Sequence, residues 1–267
     1  MSVNTNNYDK GLKMRRYLFI ALTLLHLVSS PVFGASRGDV NIIEATESIR
    51  YLSQKMAKEY LYLYKYPDNH SVKSQLYATL KKLEENLRII SAATKDTDTN
   101  DILDFLAYSK EHIYEIIKKE PTKDRIALMM DYSETLLEGA DSIALNHAYA
   151  FSDEEKMLVV SKNISYLLER AFKYYLARYI GLDTQINRQQ LSRSMEELQM
   201  QLEKVNTYAQ YPERMIEVKR SINEVWKHSA PYIEDDKSYF IPSLLFDNIT
   251  FLEKNLDELV LYHGKNL

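Results

Sequence analysis

The segment Ser48–Tyr64 is written twice. Ile49, Tyr51, Leu52, Lys58, Tyr60, Leu61 and Tyr64 return as Ile164, Tyr166, Leu167, Lys173, Tyr175, Leu176 and Tyr179, all at one offset of 115 positions. Within the first copy Ile49, Leu52, Met56, Tyr60 and Leu63 recur every three or four residues, the spacing that places side chains on one side of an α-helix. Arg50, Ser53 and Gln54 fall together on a neighbouring side as a polar cluster. A duplicated amphipathic helix narrows the choice to one helical unit repeated.

The rest of the chain agrees. Six glycines and six prolines in 267 residues disfavour the tight turns of an all-β fold, so the expected class is all-α. Predicted helices run from about Val40 to Tyr66, Val72 to Ala93, from after the polar loop Thr94–Asn100 to Lys119, and Lys123 to Tyr149, with Ser71 as the N-cap of the second. Phe151-Ser152-Asp153-Glu154-Glu155 marks a boundary, with Ser152 as a cap and acids in the first turn. The second copy replays the first: Gln190, Leu191, Leu198 and Leu202 match Gln75, Leu76, Leu83 and Leu87. Gly181 serves as a C-cap, a third helix runs from Pro212 to about His228, and Pro231 and Pro242 bracket the last connection. Four helices per copy with short links predict two tandem antiparallel four-helix bundle units, residues 40–149 and 153–262. They could stand in series, side by side, or merged into one elongated bundle.

The amino terminus reads as an export signal. Met14-Arg15-Arg16 precedes the apolar run Tyr17–Val28, a helix-breaking Ser30-Pro31 and small residues before a cleavage point after Gly34. The run of about a dozen residues is short for a bilayer core of roughly 30 Å. Residues 1–34 are therefore expected to be a cleaved signal peptide, with an uncleaved inner-membrane anchor as the alternative. Losing Lys10, Lys13, Arg15, Arg16 and Asp9 from 34 basic and 38 acidic residues leaves 30 against 37, net −7. The expected compartment is the periplasm, and no basic field for nucleic acid exists.

The chemistry on offer is sparse. With no cysteine there is no disulfide, thiolate metal site or cysteine nucleophile. Pro67, Ser109, Ala144, Val225 and Val260 stand three residues before His70, His112, His147, His228 and His263, so the Glu-x-x-His pairs of a carboxylate-bridged metal centre are missing. No Gly-rich phosphate loop or nucleophile elbow is present, and no cofactor is expected. The expectation is a non-enzyme. The 21 tyrosines are the compositional outlier and are expected to pack helix seams with hydroxyls at the edge, or to line a ligand. Arg50 is the candidate ligand residue, since a guanidinium facing its equivalent across a helix pair suits a small planar oxyanion. Lys55, Lys58, Arg170 and Lys173 are expected to face solvent or snorkel.

Leu52-Ser-Gln-Lys-Met-Ala-Lys-Glu-Tyr-Leu61 resembles the signature of the PilJ-type domain, the N-terminal sensory module of type IV pili methyl-accepting chemotaxis transducers. Gly181-Leu-Asp183 and Val225-Trp-Lys-x-x-Ala-Pro231 resemble later landmarks of that family. The resemblance covers both copies, with Leu52, Lys55, Lys58, Arg170 and Lys173 at motif positions. It implies a periplasmic four-helix sensory bundle. In relatives that sense nitrate or nitrite, an arginine of the motif, here Arg50, grips the anion at a two-fold helix interface. Arg50, Ser53 and Gln54 are then the expected ligand residues. Glu47 and Ser48 replace the family's Gly-Arg, and Ser165 stands opposite Arg50, so a paired arginine site would need a homodimer through copy one. Transducers continue into a membrane helix and a cytoplasmic signalling domain that are not in this sequence. The expected role is thus a sensory or ligand-binding protein acting through a separate membrane receptor or kinase. A ligand-free structural or adaptor module that binds an envelope protein through its helix faces is the alternative.

Overall fold

A computed structural model describes residues 37–234 and 240–267, and every regular element among them is an α-helix. In chain order these are α1 (Arg37–Lys65), α2 (His70–Ala93), α3 (Thr97–Ile117), α4 (Lys123–Asn146), α5 (Asp153–Tyr179), α6 (Gln185–Thr207), α7 (Glu213–Glu234) and α8 (Pro242–Lys265). The expected signal peptide lies outside the described residues. The first residues of α5–α8 stand 116, 115, 116 and 119 positions after those of α1–α4, so the element order repeats with little drift.

Local chemistry sets the helix ends. The Ser152 hydroxyl accepts from Glu155 N while the Glu155 carboxylate accepts from Ser152 N, a full capping box. α5 ends at Gly181, whose φ of 84° lies in the left-handed region that favours glycine. Leu182 N then donates back to Ala177 O at 2.8 Å, closing the last turn. The cap of α2 is Asn69, not Ser71: Asn69 Oδ1 accepts from Val72 N at 3.0 Å, which starts the helix earlier. α7 runs past the expected stop at His228 and carries Pro231 inside its last turn. Proline there forgoes one backbone bond, and Ile233 beyond it is fully buried, so packing outweighs the break.

α1 packs on α2, α4 and α5, and α5 packs on α1, α6 and α8. Around them α2 meets α3 and α3 meets α4, while α6 meets α7 and α7 meets α8. α3 and α4 approach closely at Gly139, where an added Cβ would meet Leu106 Cδ2 at 2.5 Å. The two long helices are thus enclosed by other helices along the stretch that the sequence duplicates. Met56–Leu63 and Leu167–Ala177 are buried at every position, whichever way the side chain points. Each of these segments has apolar and aromatic residues all round the helix, the composition of a helix with no solvent face.

Candidate functional site at the seam of the two long helices

Because α1 and α5 have no solvent face here, the charges they carry in these segments are buried as well. Lys58, Glu59, Glu169 and Lys173 are at most 1% exposed, and Arg170 is buried too. The expectation that Lys58, Arg170 and Lys173 face solvent is therefore corrected. Lys55 is only partly covered but points into the same seam. An isolated buried charge costs several kcal/mol, so each must be paired or neutralised. The pairing crosses the seam.

The first cluster joins α1, α5 and α8. Lys58 Nζ donates to Glu169 Oε1 at 2.7 Å and sits 4.5 Å from the centre of the Phe246 ring. Lys55 Nζ donates to the same Glu169 oxygen at 3.2 Å, to Glu253 Oε2 at 2.9 Å and to Tyr51 Oη at 2.7 Å. Glu169 Oε2 and Glu253 Oε1 are buried and meet no N–H or O–H donor, yet the two carboxyls are in hydrogen-bond contact with each other. A single proton held between them satisfies both. Burial favours the protonated form of each, but Lys58 and Lys55 outweigh it at Glu169 and hold that carboxyl at about 2. Burial and the neighbouring Glu169 charge push Glu253 up to about 8. The proton therefore rests on Glu253. On the far side of α1, Glu59 accepts from Thr79 Oγ1 at 3.0 Å, and burial raises it to about 7 against the pull of Lys58.

The second cluster joins α5, α4 and α1. Arg170 donates to Glu134 Oε2 at 2.7 Å, to Gln190 Oε1 at 2.9 Å and to Tyr166 Oη at 3.0 Å. Lys173 Nζ donates to Glu134 Oε1 and to Ser133 Oγ. Lys173 is the position of Lys58 moved by the repeat offset, and Arg170 is that of Lys55. Gln54 is likewise the position of Glu169, so the second cluster carries an amide where the first carries a carboxylate. Burial lowers Lys173 to about 8, only partly opposed by Glu134.

The residues expected to bind a ligand divide between two places. Ser53 and Gln54 are fully buried against α4: Ser53 Oγ donates to Arg50 O at 2.8 Å, and Gln54 Nε2 donates to Ser53 Oγ and Ser133 O. Gln54 Oε1 is left without a donor. The Arg50 guanidinium turns the other way, into a box made by Glu47, Asp141, Asn163 and the Tyr166 ring. Nη1 donates to Glu47 at 3.0 Å and to Asn163 Oδ1 at 2.7 Å, Nε lies 2.9 Å from Asp141 Oδ1, and the ring centre is 4.6 Å from Cζ. Arg50 thus meets Asn163 and Tyr166 of α5 rather than Ser165, its counterpart by the offset. Two carboxylates face its charge.

The tyrosines take the seam-packing role. Tyr60, Tyr62, Tyr166, Tyr174 and Tyr175 are buried, with Tyr60 Oη donating to Ile116 O and Tyr175 Oη accepting from Ile241 N. Leu52, the remaining motif position, is plain core. Glu253, Glu134 and Ser133 escaped sequence reasoning, which had no pattern to join α8 and α4 to the long helices. A usable signal was present: a lysine or glutamate inside a stretch that is apolar all round must be buried with a partner. Among the described residues no group of three or more His, Asp or Glu is placed to hold a metal ion, and no helix is long and apolar enough to cross a membrane. Among known proteins, no family model, no curated protein and no solved structure matches this chain.

Proposed function

We propose that the chain is a periplasmic sensory or ligand-binding protein of two PilJ-like four-helix units, residues 40–149 and 153–262, exported by residues 1–34. On this reading the units lie side by side through α1 and α5, and the chain acts through a separate membrane receptor or kinase. One observation carries the reading: the seam between the units is charged and largely enclosed. Apolar side chains of similar volume would stabilise such a seam at least as well. A charged seam instead offers two arrangements with different proton and ion-pair states, which a ligand can bias.

Arg50 stands at the edge of this seam, partly open, and Asp141 beside it is half exposed. A small oxyanion would enter by replacing Asp141 on the guanidinium. The test is a thermal-shift screen of the chain from Ala35 onward against nitrate, nitrite, other small anions and small metabolites. The expected result is a rise of the size set by ligand excess over Kd. Arg50→Ala should abolish it, and Asp141→Asn should strengthen binding. Unchanged affinity in both variants would remove Arg50 from the site.

An adaptor role is the second reading, and one surface favours it. Phe105 and Tyr108 of α3 are more than half exposed, and Tyr108 continues through ring contacts to His112 and to Tyr132 of α4. Co-purification of an envelope protein that is lost on Phe105→Ala/Tyr108→Ala, with a flat ligand screen, would establish this reading in place of the first.

A further inference from the structure

The outer helix pairs of the two copies share a core and differ in their surfaces. α3 and α4 correspond to α7 and α8. Leu106, Ile113 and Ile117 of α3 stand 116 positions before Ile222, Ser229 and Ile233 of α7, and all six are buried. Outside, α3 and α4 carry ten acidic and three basic residues, whereas α7 and α8 carry eight and six. Glu134, Asp141 and Glu253 answer cations of α1 and α5. Without them, eight acids still face three bases in the first pair, against seven and six in the second.

Exposed rings accompany this acidic surplus. Asp101, Asp104, Phe105, Tyr108, Glu111 and Glu115 share the solvent side of α3, a stripe about 21 Å long. Phe105 is 59% exposed and Tyr108 58%. Tyr108 leads through ring contacts of 4.3 and 5.4 Å to His112 and on to Tyr132 of α4. The fold does not demand these two rings, since the second copy has Ser221 and Glu224 in their places. The carboxylates are open as well. Asp101 and Asp104 pair with no cation among the described residues, while Glu111 has Lys110 beside it and Glu115 has Lys118.

Rings and carboxylates together select the occupant. Large exposed rings gain by being covered, and the carboxylates repel an acidic segment laid over them. A lysine or arginine suits both, with its stem and charge over a ring face and its N–H donors on a flanking carboxylate. We propose that the α3–α4 face docks a basic amphipathic helix of a partner protein. The apolar stripe of that helix covers Phe105 and Tyr108, and its lysines or arginines reach Asp101, Asp104 and Glu111. The inference rests on the chain having a partner protein, as both readings of its function require, and it names that partner's chemistry.

The probe is a fluorescent amphipathic peptide of about 18 residues, long enough to span the stripe, with leucine on one side and lysine on the other. Its counterpart has glutamate in place of lysine. Fluorescence anisotropy with the protein should show saturable binding of the lysine peptide and none of the glutamate peptide. Asp101→Asn/Asp104→Asn and Phe105→Ala/Tyr108→Ala should each weaken binding about tenfold. Glu217→Gln/Glu224→Gln removes two carboxylates from the outer side of α7 and should leave the affinity within about twofold. All six positions are exposed, so the far-ultraviolet circular dichroism should not change. The chain has no cysteine, so a dye on Ala107→Cys, an exposed position beside Tyr108, reports on this face alone. Its emission should change with the lysine peptide. No binding of that peptide, or binding that the α3 variants leave unchanged, would overturn the proposal. Equal binding of both peptides, each lost on Phe105→Ala/Tyr108→Ala, would remove the basic partner and keep the face as a docking surface. A flat peptide assay beside a co-purified protein lost on Phe105→Ala/Tyr108→Ala would likewise reject the basic helix and leave the adaptor reading standing.

Discussion

The two charged clusters are the same construction with two residues changed, Arg170 for Lys55 and Gln54 for Glu169. Around Glu169, two lysines from α1 meet two carboxyls, and one shared proton removes the conflict between the carboxyls. Around Glu134, an arginine and a lysine from α5 meet one carboxylate, and Gln54 occupies the place of the second. The first cluster therefore holds a proton that a free carboxyl would lose. The second holds a lysine that gives up its proton early, at about 8 against an ordinary 10.5. In a buried setting, exchanging a carboxylate for an amide and a lysine for an arginine changes which partner titrates.

Breaking the first cluster should have the largest effect. Glu169→Gln leaves Lys58 buried with no carboxylate on its ammonium, and the expected loss is about 3–5 kcal/mol of unfolding free energy. Urea denaturation measures it, and a loss below about 1 kcal/mol would mean that the chain repacks around the lysine.

The pH profile tests both clusters together. Glu253 has its folded value raised from 4.5 to about 8, so its stabilising contribution is complete below 4.5 and is lost as pH rises through 8. Glu59, raised to about 7, adds in the same direction. Lys173 is lowered from 10.5 to about 8, so its contribution is present above 10.5 and is lost as pH falls through 8. Stability should fall from pH 5 to a minimum near 8 and then recover in the alkaline range. Melting temperatures across this range should show Glu253→Gln flattening the acid side of the minimum and Lys173→Met flattening the alkaline side. A profile untouched by either variant would refute the shared proton and the strained lysine.

Smaller effects sharpen the contrast. Gln54→Glu supplies the second cluster with the missing carboxylate, and a gain of about 1 kcal/mol is expected in urea denaturation at pH 7, with the alkaline recovery abolished. Lys173→Met should cost less than about 1 kcal/mol, because Arg170 still pairs with Glu134 and an apolar side chain avoids the desolvation of the ammonium. A loss as large as that of Glu169→Gln would show the two clusters to be energetically alike.

Much of the fold was legible in the residues. The three-and-four spacing at Ile49, Leu52, Met56, Tyr60 and Leu63 gave the helix, and all five are buried. Ser152 and Gly181 marked ends that the backbone adopts, because capping depends on neighbours within a few positions. Asn69 and Pro231 depart from the local signals for different reasons, one local and one tertiary. Asn69 caps α2 two residues before the serine that the sequence also offers, and the burial of Ile233 overrules the break at Pro231.

The candidate site was legible only in its residue types. Arg50, Ser53 and Gln54 share a helix side, as expected, yet the guanidinium turns to Asp141 and Asn163 while the amide turns to Ser133. Lys58 looked like a surface lysine because its partner lies 111 positions away on another helix. By itself the sequence determined the helices, ends such as those at Ser152 and Gly181, and the repeat, since these follow from backbone hydrogen bonding and side-chain period over a few residues. Tertiary structure alone decided that α1 and α5 lie against each other with no solvent face. That packing turns ordinary lysines and glutamates into buried pairs, because charge that water would screen must there be met by a partner brought from far along the chain.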